Sequence, residues 1–364
     1  MTHRSETKIH QIRAAVLRQG GQLQIETLEL EGPREDEALV RLSASGICHT
    51  DIDFIEDWSG PPVVLGHEGA GVVQEVGNSL KGFKPGDHVV LSYQSCGRCR
   101  PCQEGRPAHC NHFWEMNFDF ARLDGSNALA RSGVSGHFLG QSSFATHTVA
   151  TERNLVHVPP DLPLELLAPL GCGFQTGAGT IMNSLQVPRG ASLAIFGTGA
   201  VGLAAVMAAR IAGAVPIIGV DHNPSRLQLA RQLGATHIID SGIEDVASRV
   251  TAATGSGVDY VLEITGASDM YQLALEVLNP QGTVALIART NGSTTLSRGR
   301  KTLGIIQGDA VPQNFIPKLI DLYRAGRFPF DRLIKFYDFS DIRQAIDEAR
   351  RGDTIKPVLR LNKP

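Results

Sequence analysis

Four of the six cysteines, Cys96, Cys99, Cys102 and Cys110, fall within fifteen residues, separated by two, two and seven others. Four thiolates so spaced can close a tetrahedral zinc site with no open position, which is a structural role. Gly97, Pro101 and Gly105 suit the bends such a loop needs. An iron–sulfur cluster is the competing reading; its bacterial spacing ends in Cys-Pro, whereas Asn111 follows Cys110. His109 stands beside the fourth cysteine as a substitute ligand or a solvent-facing side chain. A disulfide framework does not suit a chain this long with so few cysteines.

The other two cysteines lie far apart, Cys48 before His49-Thr50-Asp51 and Cys172 between Gly171 and Gly173, and His67 sits in Gly66-His-Glu-Gly69. Two cysteines and one histidine from separate segments would give a three-ligand zinc site with a fourth position open, the pattern of catalytic zinc. The plain alternative for each cysteine is a small core residue; taken together, the pattern gives all six a metal role.

A third constellation is Gly197-Thr198-Gly199-Ala200-Val201-Gly202. In this pattern Gly197 allows a tight turn, Gly199 lets backbone approach a pyrophosphate, and Gly202 permits close helix–strand packing, with the helix N-terminus facing the anion. Asp221 follows Gly202 by nineteen residues, at the end of the next apolar run. A carboxylate there accepts from ribose hydroxyls and repels a 2′-phosphate, which favours NAD over NADP. Arg226, a turn into the following segment, either helps hold the ribose or is a surface arginine.

These residues need positioning. Residues 11–17, 38–44, 69–76 and 87–92 alternate or run apolar between Gly, Pro and Asp turns, which predicts a strand-rich first part. From about residue 190, strand-like runs at 192–196, 215–220, 237–240, 259–265 and 282–288 alternate with helix-length segments. One of these opens at Asn223-Pro224 and closes at Gly234. That rhythm predicts a parallel, helix-covered sheet. The tail from about 328 returns to strand and helix pieces and can rejoin the first part. The 364 residues carry 34 Lys and Arg against 37 Asp and Glu, a net charge of −3, which disfavours a nucleic-acid binder. No apolar run approaches the roughly 20 residues of a bilayer span. MTHRSETKIH has no apolar stretch after its charges, so no secretory signal is read there and a cytoplasmic protein is expected.

The chain resembles the zinc-dependent medium-chain alcohol dehydrogenases over nearly its whole length. GICHTD (46–51), VLGHEGAGVV (64–73), KPGDHVV (84–90), the four-cysteine lobe, GCGFQTGAG (171–179) and GTGAVG (197–202) carry the resemblance. GQSSFATHTVA (140–150), PLGCGFQTGAG (169–179) and FPFDRLI (328–334) look most like bacterial aryl-alcohol (benzyl alcohol) and geraniol dehydrogenases. The resemblance implies an α/β protein with two parts. One is a chaperonin-10-like β-rich catalytic domain, residues 1–174 and 325–364, with a structural zinc lobe at 93–115. The other is a Rossmann NAD-binding domain, residues 175–324, and the active site lies in the cleft between them. It implies two Zn²⁺ per chain: a catalytic ion on Cys48, His67 and Cys172, with Glu68 able to approach as fourth ligand, and a structural ion on Cys96, Cys99, Cys102 and Cys110. Asp51 matches the residue that orients the zinc-bound histidine, as such partners do. Thr50 matches the hydroxyl that bonds the substrate oxygen, and His49 a contact to cofactor phosphate. Thr176 and Val201 match residues pressing on nicotinamide, and Lys356 a late basic contact to pyrophosphate. A homodimer or homotetramer is implied, with subunit pairing expected in 282–310.

The implied reaction is reversible, NAD-linked oxidation of a primary aryl or allylic alcohol to an aldehyde, with hydride leaving a zinc-bound alkoxide. Zinc brings a bound water from a pKa of about 16 to about 7, worth roughly 12 kcal/mol at about 1.36 per unit. In animal liver relatives a histidine two residues past the orienting aspartate ends the proton relay; Asp53 stands there instead. The acceptor is then Asp53, His49 or water. Trp58, Phe113, Trp114, Met116 and Phe118 either line an apolar pocket or pack around the lobe. A polyol or glutathione-adduct (formaldehyde) dehydrogenase on the same scaffold is the alternative enzyme, and a zinc-stabilised binding module the alternative outside catalysis.

Overall fold

A computed structural model describes residues 8–287 and 296–362, so part of the 282–310 segment expected to pair subunits lies outside the described residues. The chain divides into two compact units. The first comprises Met1–Cys172, Val311–Pro317 and Leu333–Pro364; the second comprises Gly173–Ala310 and Lys318–Arg332. The tail thus alternates between units, where the sequence suggested one crossing near residue 325.

The first unit is β-rich. Its main sheet runs Ile334–Asp338, Lys356–Arg360, Glu37–Gly46, Glu68–Val76, His88–Leu91, Leu155–His157, with His147–Thr151 also paired to Glu37–Gly46. A smaller sheet orders Gln22–Glu31, Ile9–Arg18 and Val63–Val64. The strand Glu37–Gly46 is central and buried on both faces over most of its length, so its sequence, EALVRLSASG, is largely apolar and small rather than alternating. Its last residue, Gly46, sits opposite Glu68 on one side and Val358 on the other. A Cβ at Gly46 would stand 2.0 Å from Glu68 Oε2, so only glycine leaves room for that carboxylate.

The second unit holds a six-stranded sheet in the order His237–Asp240, Ile217–Asp221, Leu193–Phe196, Val258–Glu263, Leu278–Leu286, Lys301–Gly304. All its pairings are parallel. Read in chain order this is 3-2-1-4-5-6, the Rossmann arrangement. The helix Ala200–Ala212 follows the first strand, and its buried side runs unbroken from Gly202 to Ala209. Gly202 is required because a Cβ there would lie 1.9 Å from the Gly197 carbonyl oxygen. Asn223 caps the helix Pro224–Leu233 through the N–H groups of Ser225 and Arg226, and Gly234 ends it with φ 132°. The core joins Phe196, Ile218, Val220, Val250, Val261 and Val284.

Candidate active site and metal centres

The strand Glu37–Gly46 delivers Cys48 to the start of the helix His49–Asp57, whose first turn carries Asp51. Asp51 is fully buried. Its Oδ2 accepts from the Cys48 N–H at 2.9 Å, and its Oδ1 accepts from the Gly66 N–H at 3.0 Å and meets His67 Nδ1 at 3.0 Å. One carboxylate therefore ties two distant ligand segments together. It also engages Nδ1, so Nε2 is the ring nitrogen left to face a metal. Gln141 adds a second tie: its Oε1 accepts from Gly69 N, and its Nε2 donates to the carbonyls of His67 and Ser92. Ser92 in turn donates to the Gly171 carbonyl at 2.7 Å, anchoring the segment that presents Cys172.

These ties bring one ligand atom each from Cys48, His67, Glu68 and Cys172 within 4.8 Å of one another. The electrostatics match a cation site. A sulfur–sulfur hydrogen bond with Cys172 holds the Cys48 thiol well below its ordinary pKa, against the opposing effect of burial. The same bond and burial push Cys172 up. Burial pulls His67 down, but Asp51 and Cys48 more than offset it and raise it well above an ordinary imidazole. Two thiol sulfurs and an imidazole crowded with acidic character are a divalent-zinc donor set.

Cys96, Cys99, Cys102 and Cys110 also converge, with ligand atoms within 4.8 Å. Cys99 and Cys110 Sγ are 3.8 Å apart, the edge of a tetrahedron with Zn–S bonds of about 2.3 Å. Backbone N–H groups of Cys96, Cys99, Asn111 and His112 donate to these sulfurs at 3.3–3.4 Å. The Asn111 donor brings Cys99 down to about 6, while burial pushes Cys110 up to about 12. His109 is not part of this group.

Lys356 is buried, and its Nζ donates to both Glu68 oxygens at 2.9 and 3.0 Å and to the Ile47 carbonyl at 3.0 Å. Burial raises Glu68, and Lys356 offsets only part of that. All three ammonium hydrogens are thereby engaged, and the Lys356 charge is directed at Glu68. Register across strands, invisible in one-dimensional spacing, creates this pair.

Thr50 places its Oγ1 3.9 Å from Cys48 Sγ. His49 and Asp53, one turn apart, meet at 3.3 Å on the exposed side of their helix. Burial raises Asp53, against the opposing effect of His49.

Aromatic rings crowd against the histidine. Phe138 meets His67 edge-on with ring centroids 5.5 Å apart. Phe54, Phe120 and Phe118 surround Phe138 at 5.0, 5.4 and 5.9 Å, and Trp58 joins through Phe120 at 5.0 Å. Of the aromatics singled out in the sequence, Trp58 and Phe118 belong here; Phe113 touches Phe118 from the lobe side, and Trp114 is 60% exposed. Phe54, Phe120 and Phe138 escape a reading of the sequence because their segments carry no motif.

In the second unit Gly197 takes φ 94°, and Thr198 N and Oγ1 both donate to Asp221 Oδ2, at 2.7 and 2.9 Å. Asn223 N donates to Oδ1 at 2.9 Å. The carboxylate is thus fixed at the end of the second strand beside the glycine turn. Gly199 and Val201 line that turn, Thr176 lies buried in the helix Gly173–Gly179, and the Arg226 Nε is buried without a partner among the described residues.

Residues 34–160 match the alcohol dehydrogenase GroES-like domain, and residues 200–323 match the zinc-binding dehydrogenase family. Geraniol dehydrogenase of Castellaniella defragrans is 45% identical, with 95% of this chain and 97% of that protein covered. The chain belongs to the zinc-dependent medium-chain alcohol dehydrogenases. A crystal structure of benzyl alcohol dehydrogenase from Acinetobacter calcoaceticus is 41% identical, with a TM-score of 0.93 and coverage of 97% of this chain and 100% of that one. An alcohol dehydrogenase class-3 of Myxine glutinosa is 35% identical over 93% of this chain and 94% of its own length. The chain is therefore an oxidoreductase of a family that uses zinc and NAD. No helix among the described residues is long and apolar enough to cross a membrane.

Proposed function

We propose that the protein catalyses reversible, NAD-linked oxidation of primary aryl or allylic alcohols to aldehydes. The observation that carries this is the ring cluster built onto His67 through Phe138. A planar, apolar substituent gains about 0.5–1.5 kcal/mol for each well-placed ring contact beyond its burial. A polyol would instead leave hydroxyls without partners against those rings, at a cost of about 1–3 kcal/mol each. The geraniol and benzyl alcohol dehydrogenases among its relatives agree with this reading.

Cys48, His67 and Cys172 would hold the catalytic zinc, and Cys96, Cys99, Cys102 and Cys110 the structural one. When bound, zinc would supply Lewis acidity toward the alcohol oxygen and NAD would supply the hydride acceptor. Asp51 keeps His67 in the ligating tautomer, and Lys356 holds the Glu68 carboxylate. Thr50 accepts a hydrogen bond from the alcohol and passes its proton on, with the His49–Asp53 pair as the receiving groups. Gly197, Gly199 and Gly202 make the pyrophosphate turn; Asp221 accepts from the ribose and Arg226 flanks it. Thr176 and Val201 contact the nicotinamide. Thiolate zinc sites of this kind suit a reducing cytoplasm. The edge strand Lys301–Gly304, paired on one side only among the described residues, supports a homodimer or homotetramer.

The test is NADH formation followed by absorbance with benzyl alcohol, geraniol, sorbitol and the formaldehyde–glutathione adduct. kcat/KM is expected to be at least about tenfold higher for the first two, equivalent to about 1.4 kcal/mol. Preference for sorbitol or the adduct would overturn the proposal.

A further inference from the structure

A cleft of about 330 Å³ opens in the first unit, and none of Cys48, His67 and Cys172 lines it. Ser95, Cys96 and Arg98 of the four-cysteine loop form one wall, and Thr151 and Arg153 at the end of the strand His147–Thr151 form another. Arg34, Glu37, Arg122 and Asp124 also line it. Its size falls in the range of small-molecule sites, about 300–1,000 Å³.

The charges do not cancel. Arg122 forks onto Glu37 at 2.6 and 2.9 Å, with both side chains over nine-tenths buried. Arg34 pairs with Asp124 at 2.7 Å. Arg98 is exposed and has no carboxylate within ion-pair distance among the described residues. Among the described residues the Arg153 side chain hydrogen-bonds only a hydroxyl: its Nε and Nη2 converge on Ser95 Oγ at 3.3 and 3.1 Å. Against these two guanidinium groups stands one further carboxylate, Asp36. His137, also lining the cleft, is held down to about 3, first by burial and then by the nearby positive charges of Arg122 and Arg34. Met116, Leu123 and Val149 add apolar surface beside the guanidiniums. Guanidinium forks match the planar or tetrahedral oxygens of carboxylate and phosphate.

We propose that this cleft is a second ligand site, which binds a small oxyanion, a phosphate or a carboxylate, between Arg98 and Arg153. Such a ligand joins the four-cysteine loop to the strand end, so it also slows removal of metal from that loop. Nothing in this depends on the alcohol substrate assigned above.

The test is calorimetric titration of the zinc-loaded enzyme with inorganic phosphate and, separately, with acetate. Saturable binding of either is expected, with phosphate alone, acetate alone or both telling which oxyanion the site prefers. Arg98→Gln removes an exposed, unpaired side chain and is expected to weaken that binding at least about tenfold, the scale of one charge-assisted fork. Leu123→Glu, which adds a carboxylate to the wall without replacing an arginine, should do the same. Both variants should keep the kcat/KM for alcohol. In the wild type the bound anion should slow chelator extraction of the second zinc severalfold. The proposal fails if neither anion saturates below about 10 mM, a weak-binding limit, or if binding is unchanged in both variants.

Discussion

Replacing Asp51 by Asn tests the argument that one carboxylate builds the catalytic metal site. The substitution keeps shape and removes charge. Asp51 accepts three hydrogen bonds, from the N–H groups of Cys48 and Gly66 and from His67 Nδ1. With the amide oxygen kept toward Gly66 and His67, its NH2 group faces the Cys48 N–H, donor against donor, in a fully buried place. An unsatisfied buried pair costs about 1–3 kcal/mol, and weakening of two charge-assisted bonds adds about 1 kcal/mol. The His67 orientation and basicity also suffer, and loss of such a partner lowers metal affinity about 10–100-fold. The assay is competition for zinc with a chromophoric chelator, alongside elemental analysis and thermal unfolding. Asp51→Asn should lose the catalytic zinc first and keep the four-cysteine zinc. Asp259→Asn is the control, because Asp259 accepts only from Ser192 N and Oγ and from Asn279, away from any ligand. It should lower stability without changing metal affinity. If Asp51→Asn binds zinc within twofold of wild type, the carboxylate does not organise the site.

Elemental analysis should give two zinc ions per chain, falling to one in both Cys48→Ser and Cys102→Ser; Cys48→Ser should abolish turnover with the fold intact, whereas Cys102→Ser should lower the unfolding temperature. Asp221→Ser should weaken NAD and narrow its preference over NADP, read as the ratio of the two kcat/KM values; wild-type use of both cofactors would contradict the role given to Asp221. Thr50→Val should cut kcat strongly at nearly unchanged volume, and Asp53→Asn should cut it in a way that small added bases restore; an unchanged Asp53→Asn profile would leave His49 or water as acceptor. His137 is held neutral at about 3 and His147 at about 4, both chiefly by burial. Their folded pKa values lie below the unfolded value of about 6.5, so the unfolded chain binds more protons and stability falls as pH drops below it. By pH 5 His137 alone should cost roughly 2 kcal/mol in denaturant titrations, a loss that His137→Asn, able to keep the left-handed backbone at that position, should remove.

Motifs whose chemistry depends on short spacing were legible. The four-cysteine loop closes within fifteen residues, and the glycine turn with Asp221 spans a single strand–helix–strand unit, so chain geometry nearly dictates each site. The assembly of Cys48, His67 and Cys172 was read from residue types and resemblance and not from spacing, because three segments meet by sheet register and by the ties through Asp51 and Gln141. The Glu68–Lys356 pair lay beyond reach for the same reason: it depends on Val358 standing opposite Gly46. Phe54, Phe120 and Phe138 come together from three segments whose individual patterns are ordinary. The helix-and-strand alternation after residue 190 read well because parallel sheets covered on both faces give continuous apolar runs.

The Glu68–Lys356 pair has a consequence for biosynthesis. Its members are 288 residues apart in sequence. At about 5–20 residues per second, Lys356 is made roughly 14–58 s after Glu68. During that interval the strand Glu37–Gly46 lacks its neighbour Lys356–Arg360, and the Glu68 carboxylate lacks its counter-charge. The Asp51 and Gln141 ties need only residues up to 141, so His67 can be oriented early on the ribosome. The metal pocket therefore matures in two stages, its donors set first and its charge balanced last.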